Sequence, residues 1–238
     1  MKVCVHLIPE SGGLLPELQA IKAAGYSGIK QALYWNLTNP KIGRYEFAPY
    51  DRLVEGCQQV GLDLTLVIGY GNNYLYGQPG YPNPSGITDD KLPPPVGYKP
   101  YEQWLRLVGA RYGSFVKVWQ FWGEPNSETF WKPAPDLAHY VKLLKLADKF
   151  LPGIVYAGNL ANVKGTDVPD FEAMRVLRDL GAFKCGRRLG FNPYTQGSVE
   201  SRRRLTVQAM EIVGVPVAWT EFGHSTGWGF NSDAVKQR

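Results

Sequence analysis

Val118-Trp119-Gln120-Phe121-Trp122-Gly123-Glu124-Pro125-Asn126 is a short apolar, aromatic-rich run that ends abruptly in a carboxylate, a proline and an amide. Such a run reads as a buried strand whose C-terminal tip carries polar chemistry. Outward from it, short apolar runs alternate with amphipathic stretches. Strands are expected over 3–8, 28–35, 62–69, 116–122, 154–158, 188–192 and 215–220. Helices are expected over 14–24, 50–60, 101–112, 136–150, 169–180 and 198–213, with Gly25 and Gly61 as stop signals and Asp136 as an N-cap. The stretch 62–69 is nearly continuous in Leu, Val, Ile and Thr, as a parallel strand covered on both faces should be.

This alternation implies an all-parallel sheet, and the strand count favours an α/β fold of the (β/α)8 TIM-barrel type over an open sheet. The whole of 1–238 reads as a single domain. Only 222–238 follow strand seven, too few for the remaining units of a closed barrel, so the reading is of a barrel truncated after strand seven. Its open edge offers a surface for self-association. One segment, 70–99, carries glycines, prolines and tyrosines without periodicity. Its length makes it a candidate wall of a binding cleft.

Composition limits the function classes. With 44% hydrophobic and 20% charged residues the chain is an ordinary globular one, while its aromatic fraction of 13% suits stacking on flat ligand faces such as sugars. The net charge of +5 is modest, and the one dense basic run, Arg202-Arg203-Arg204, reads as a solvated helix face, so nucleic-acid binding is not expected. No apolar run approaches the roughly 18 residues of a membrane span, and no signal peptide is recognisable. That composition fits a cytoplasmic protein or a secreted one whose leader lies outside this sequence. The three cysteines are scattered and read as free thiols. The three histidines lack metal-ligand spacing, and His139 falls mid-helix, where solvent exposure is the default. Neither a metal nor another cofactor is expected.

In (β/α)8 barrels the chemistry sits at the C-terminal ends of the strands. Two glutamates stand at such ends: Glu124 after strand four and Glu221 after strand seven, and these strands face each other across the mouth. Glycoside hydrolysis with retention needs such a pair about 5 to 5.5 Å apart, one carboxylic acid to protonate the leaving oxygen and one carboxylate to attack the anomeric carbon. Trp122 and Pro125 beside Glu124 would disfavour its charged form, as an acid requires. Glu221 would stay ionised, helped by a hydroxyl from Tyr194.

Trp122-Gly123-Glu124-Pro125-Asn126 resembles the Trp-Asn-Glu-Pro signature of clan A glycoside hydrolases. Further stretches look like family 39 and its polysaccharide-degrading relatives: 43–47 (Gly-Arg-Tyr-Glu-Phe), 50–54, 69–73, Asn192-Pro193-Tyr194 and 220–226 (Thr-Glu-Phe-Gly-His-Ser-Thr). The resemblance covers essentially the whole chain in order. It implies that Glu124 is the acid/base and Glu221 the nucleophile of a retaining hydrolase acting on a β-linked oligo- or polysaccharide.

Three positions depart from the family pattern. Gly123 replaces the asparagine that would bind the sugar's 2-hydroxyl, a loss on the order of 10²-fold in rate. Asn192 stands where relatives have histidine, and Lys30 or Gln31 where an arginine is usual. Either the substrate differs, as a 2-acetamido sugar without a free equatorial 2-hydroxyl or a uronic sugar would, or the barrel binds carbohydrate with little turnover. A purely structural barrel is the third alternative. For sugar contacts the expected platforms are Trp35 and Trp228, ahead of Trp131, with Trp122, Tyr74 and Tyr76 also at the mouth. Asn36, Asn72 and Asn126 are placed to bind hydroxyls or to cap loops, and His224 to reach the cleft.

Overall fold

The computed structural model describes residues 13–164, 169–184, 187–193 and 198–221, together with the backbone of 4–6. Seven parallel strands follow one another in chain order in a single sheet: β1 (Cys4–His6), β2 (Gly28–Tyr34), β3 (Asp63–Gly69), β4 (Val118–Phe121), β5 (Ile154–Leu160), β6 (Arg188–Phe191) and β7 (Val217–Trp219). Helices α1 (Leu14–Ala23), α2 (Trp35–Thr38), α3 (Ala48–Val60), α4 (Lys99–Tyr112), α5 (Leu137–Ala147), α6 (Phe171–Asp179) and α7 (Val199–Val213) lie between them. Sequential parallel order with helical crossovers is the topology expected of a (β/α) barrel. The expected strands and helices all occur, with ends shifted by a few residues. The short helix α2 is an addition, beginning at Trp35 where the strand was expected to finish.

Local chemistry explains the boundaries. Gly61 ends α3 with φ 70° and donates its N–H to the carbonyls of Cys57 and Gln58, a left-handed cap that a Cβ would strain. The side chains of Asp136, Asp170 and Ser198 each accept a backbone N–H at the starts of α5, α6 and α7. In β4, Trp119 and Phe121 share the face turned to the helices: the Trp119 indole donates to Pro152 O at 2.7 Å, and the Phe121 ring lies 5.5 Å from that of Tyr140 in α5. Cys57 is buried, which pushes its thiol up to about 12. Arg203 on α7 is exposed and approaches Glu200 one turn away, the solvated face expected of the basic run.

The segment 70–99 is ordered by its own contacts. Gly71 N–H donates to Asp90 O at 2.6 Å, and the Tyr81 hydroxyl to Leu92 O at 2.6 Å. His139 is not merely solvated, because its Nε2 lies 2.9 Å from Pro94 O and its ring meets Trp131 edge-on. These bonds fold the segment back over the ends of β2, β3 and β4, bringing Tyr70, Asp90 and Lys91 together.

Candidate active site

The C-terminal end of β4 has unusual backbone. Trp122 (φ 61°), Glu124 (φ 50°) and, at the end of β5, Asn159 (φ 49°) all occupy the left-handed region without being glycine. Each such residue costs of order 1–3 kcal/mol and persists only where its surroundings hold it. Here those surroundings are visible. The β5/β6 register shifts between Gly158 and Leu160, a bulge that turns Asn159 toward β4. The Asn159 side-chain amide then donates to Phe121 O and Trp122 O at 3.2 and 3.3 Å, while its backbone carbonyl accepts the Glu124 N–H at 3.0 Å. Tyr140 supports the bulge from α5, its hydroxyl donating to Phe121 O and accepting from Gly158 N. The strand-end carboxylate is therefore aimed by a neighbouring strand.

The Glu124 carboxylate accepts a hydrogen bond from the Asn192 amide at 2.8 Å, and the Asn192 carbonyl accepts from the Thr220 hydroxyl at 2.8 Å. Glu221 follows at the end of β7 and pairs with Lys30 of β2 at 2.9 Å. Lys30 also donates to Thr220 O at 2.8 Å and is itself buried. Of the two β2 candidates, it is Lys30 that faces the carboxylates. A chain of polar contacts thus joins the ends of β4, β6 and β7 to Lys30 within β2.

The two glutamates differ in environment. Burial raises the Glu124 carboxyl above its ordinary value, the Asn192 hydrogen bond opposes this, the charge of Glu221 adds to the rise and Lys30 lowers it, and the balance remains upward. Glu221 keeps part of its side-chain surface and carries the Lys30 ammonium directly on its carboxylate. Desolvation thus favours the protonated form at Glu124, while a cation sits directly on Glu221.

Several expected sugar contacts are corrected by burial. Trp35 is fully buried, with its indole donating to Asn39 Oδ1 at 3.1 Å and its rings packed on Tyr81, Tyr101 and Trp104. It is a core residue, and no face is left for a sugar. Asn72 is also fully buried: its amide donates to Asn39 O and its carbonyl caps Tyr74 N–H. Asn126 spends its amide on Ala161 O and Asp170 and its carbonyl on Ala161 N–H, tying the loop after β4 to the start of α6. Trp122 and Trp131 are buried against each other, and Tyr76 is occupied by Leu92. Asn36 bonds to Asn73 at 2.9 Å. Tyr194, His224 and Trp228 lie outside the described residues.

What sequence reasoning missed is Tyr70. A Cβ built on Gly123 would meet the Tyr70 hydroxyl at 2.6 Å, so this phenol occupies the space where a side chain at 123 would begin. Its first residue position after β3 was legible as a strand end, but nothing in an aperiodic segment indicated which way it would turn. Among the described residues, no group of three or more His, Cys, Asp or Glu is arranged to hold a metal ion. No described helix is long and apolar enough to cross a membrane.

No protein-family model matches the chain. Solved structures do match it in fold. A family 39 glycoside hydrolase from Bacteroides cellulosilyticus superposes with a TM-score of 0.66 at 18% identity, covering 93% of this chain and 49% of its own. A monomeric beta-xylosidase from Caulobacter crescentus gives 0.68 at 16% identity, with 95% and 53% covered. An endo-beta-1,4-glucanase from Xanthomonas axonopodis gives 0.60 at 13% identity, with 96% and 80% covered. The chain spans about half the length of the first two. The fold is that of the TIM-barrel glycoside hydrolases, family 39 among them.

Proposed function

We propose that this chain carries the catalytic pair of a retaining glycoside hydrolase, with Glu124 as acid/base, Glu221 as nucleophile and a β-linked glycan as substrate. The observation that carries the reading is the asymmetry of the pair: a half-buried glutamate raised in pKa and bonded to Asn192, within electrostatic reach of a second glutamate that is bonded to Lys30. The glycosidase fold supports it, because those two strand ends are where such barrels place their chemistry.

In the first step a Glu221 oxygen attacks the anomeric carbon as the glycosidic C–O bond breaks, and the Glu124 proton passes to the departing oxygen. That leaves a glycosyl ester on Glu221 and an ionised Glu124. In the second step Glu124 takes a proton from water, whose oxygen attacks the anomeric carbon and expels the Glu221 carboxylate. Lys30 stabilises the carboxylate before and after, and Asn192 holds Glu124 in place through both of its roles.

Gly123 favours a second reading, in which the barrel binds carbohydrate with little turnover. A panel of 4-nitrophenyl β-glycosides and β-linked polysaccharides, assayed with the wild type, Glu124→Gln and Glu221→Gln, separates the two. Turnover by the wild type that falls at least about 10³-fold in both variants is the result expected. Equal background rates in all three would overturn the hydrolytic reading.

A further inference from the structure

Three facts about Tyr70 stand apart from the carboxylate chemistry. Its hydroxyl fills the space beside Gly123, immediately next to Glu124 in the chain. Its ring is held on several sides: Trp122 meets it edge-on at 5.1 Å, Phe130 stacks at 6.0 Å, and the Lys91 ammonium sits 3.5 Å from its centroid while paired with Asp90 at 2.7 Å. No described residue forms a hydrogen bond with its hydroxyl, although the ring is only half-buried. Burial first, then the neighbouring Tyr34 and the charges of Glu221, Glu124 and Asp90, hold the phenol in its protonated form. The result is a phenol whose ring is held in place and whose hydroxyl is left to donate, with both glutamates within electrostatic reach.

A glycosyl unit seated between Glu124 and Glu221 presents its anomeric carbon to the pair and the hydroxyl on the neighbouring ring carbon to whatever lines that corner. A donor there gains strength as positive charge develops on the sugar. We infer that the Tyr70 hydroxyl is the group that binds the substrate's 2-hydroxyl in this chain, in the space that Gly123 leaves open, and that the site therefore selects glycosides with a free 2-hydroxyl over 2-acetamido sugars. This rests on the hydrolase reading above. Gly123 and Tyr70 form one device: any side chain at 123 would collide with the phenol, and the glycine allows the phenol to stand there.

The test uses 4-nitrophenyl β-D-glucoside and β-D-xyloside, their 2-deoxy counterparts, and 4-nitrophenyl N-acetyl-β-D-glucosaminide. Tyr70→Phe keeps the ring packing and removes only the hydroxyl. It is expected to lower kcat/KM about 10²-fold on the parent glycosides and to leave the 2-deoxy rates unchanged, with the N-acetyl substrate inert to the wild type. An equal loss on both substrate types, no loss on either, or faster cleavage of the N-acetyl glycoside would overturn the inference while leaving the hydrolase reading intact. A wild type inactive on every probe would overturn the reading and the inference together. A second measurement needs no turnover. Gly123→Asn is expected to lower the melting temperature in the Tyr70 background and much less in Tyr70→Phe, and an equal drop in both would contradict the shared space.

Discussion

Glu124 is raised in pKa mainly because it is buried, and that has a sign. The folded chain holds this proton more tightly than the unfolded chain, so ionisation of Glu124 subtracts stability. The penalty is absent below the ordinary carboxyl value of 4.5, grows as pH rises through the raised folded value, and is complete above it. Glu124→Gln removes the penalty and keeps an acceptor for Asn192. Its melting temperature relative to wild type is expected to rise as pH climbs above 4.5, and a difference that stays flat would contradict the assigned burial. Lys30 is the second test at this scale. Lys30→Met removes a buried ammonium from Glu221 and Thr220 O. Because Glu221 keeps 34% of its side-chain surface, water takes over part of the lost contact, and about 1–3 kcal/mol of stability is expected to go. Activity is expected to fall as well, through kcat more than KM, because the Lys30 ammonium sits on the Glu221 carboxylate; an unchanged kcat would argue that Lys30 only supports the fold.

At the scale of elements, the bulge at the end of β5 aims the end of β4. Asn159→Leu keeps the volume but loses the bonds to Phe121 O and Trp122 O. Chemical denaturation is expected to show a loss of about 1–3 kcal/mol, with kcat falling more than KM rises, since Glu124 is misdirected more than substrate is released. A change in KM alone would place Asn159 outside the aiming device. Trp35→Phe tests the opposite case. As a core residue it should lose stability while leaving oligosaccharide affinity unaltered. The strands and helices were legible in the sequence because their apolar period and their caps agree, as at Gly61 and Asp136. Glu124 and Asn192 were legible because strand ends are where barrels keep polar groups. Trp35 was misread because a one-residue change decides which face a strand-end side chain takes, and the chain turns into a helix just there. Asn159 gave no sign, since a bulge that puts a non-glycine residue at positive φ leaves no punctuation in the sequence. Tyr70 was hidden by an aperiodic segment whose shape comes from contacts within itself, such as Tyr81 to Leu92, and with α5, such as Pro94 to His139.

At the scale of the molecule, seven strands in chain order bring the tips of β4, β6 and β7 to one end of the sheet, where the Lys30 side chain from β2 reaches them. No local motif contains this site, which exists only as the product of the topology. The likeness to glycoside hydrolases at 13–18% identity shows how far a sequence can drift while that topology is kept. What it leaves to the chain's own side chains is the chemistry: an amide from Asn192, an ammonium from Lys30 and a phenol from Tyr70 around two carboxylates. As proposed, Glu124 and Glu221 act as acid/base and nucleophile in a double displacement. Following the anomeric proton by NMR during cleavage of an aryl β-glycoside tests it most directly. The β-anomer of the released sugar should appear first and then mutarotate; the α-anomer appearing first would mean a single displacement and would contradict the account.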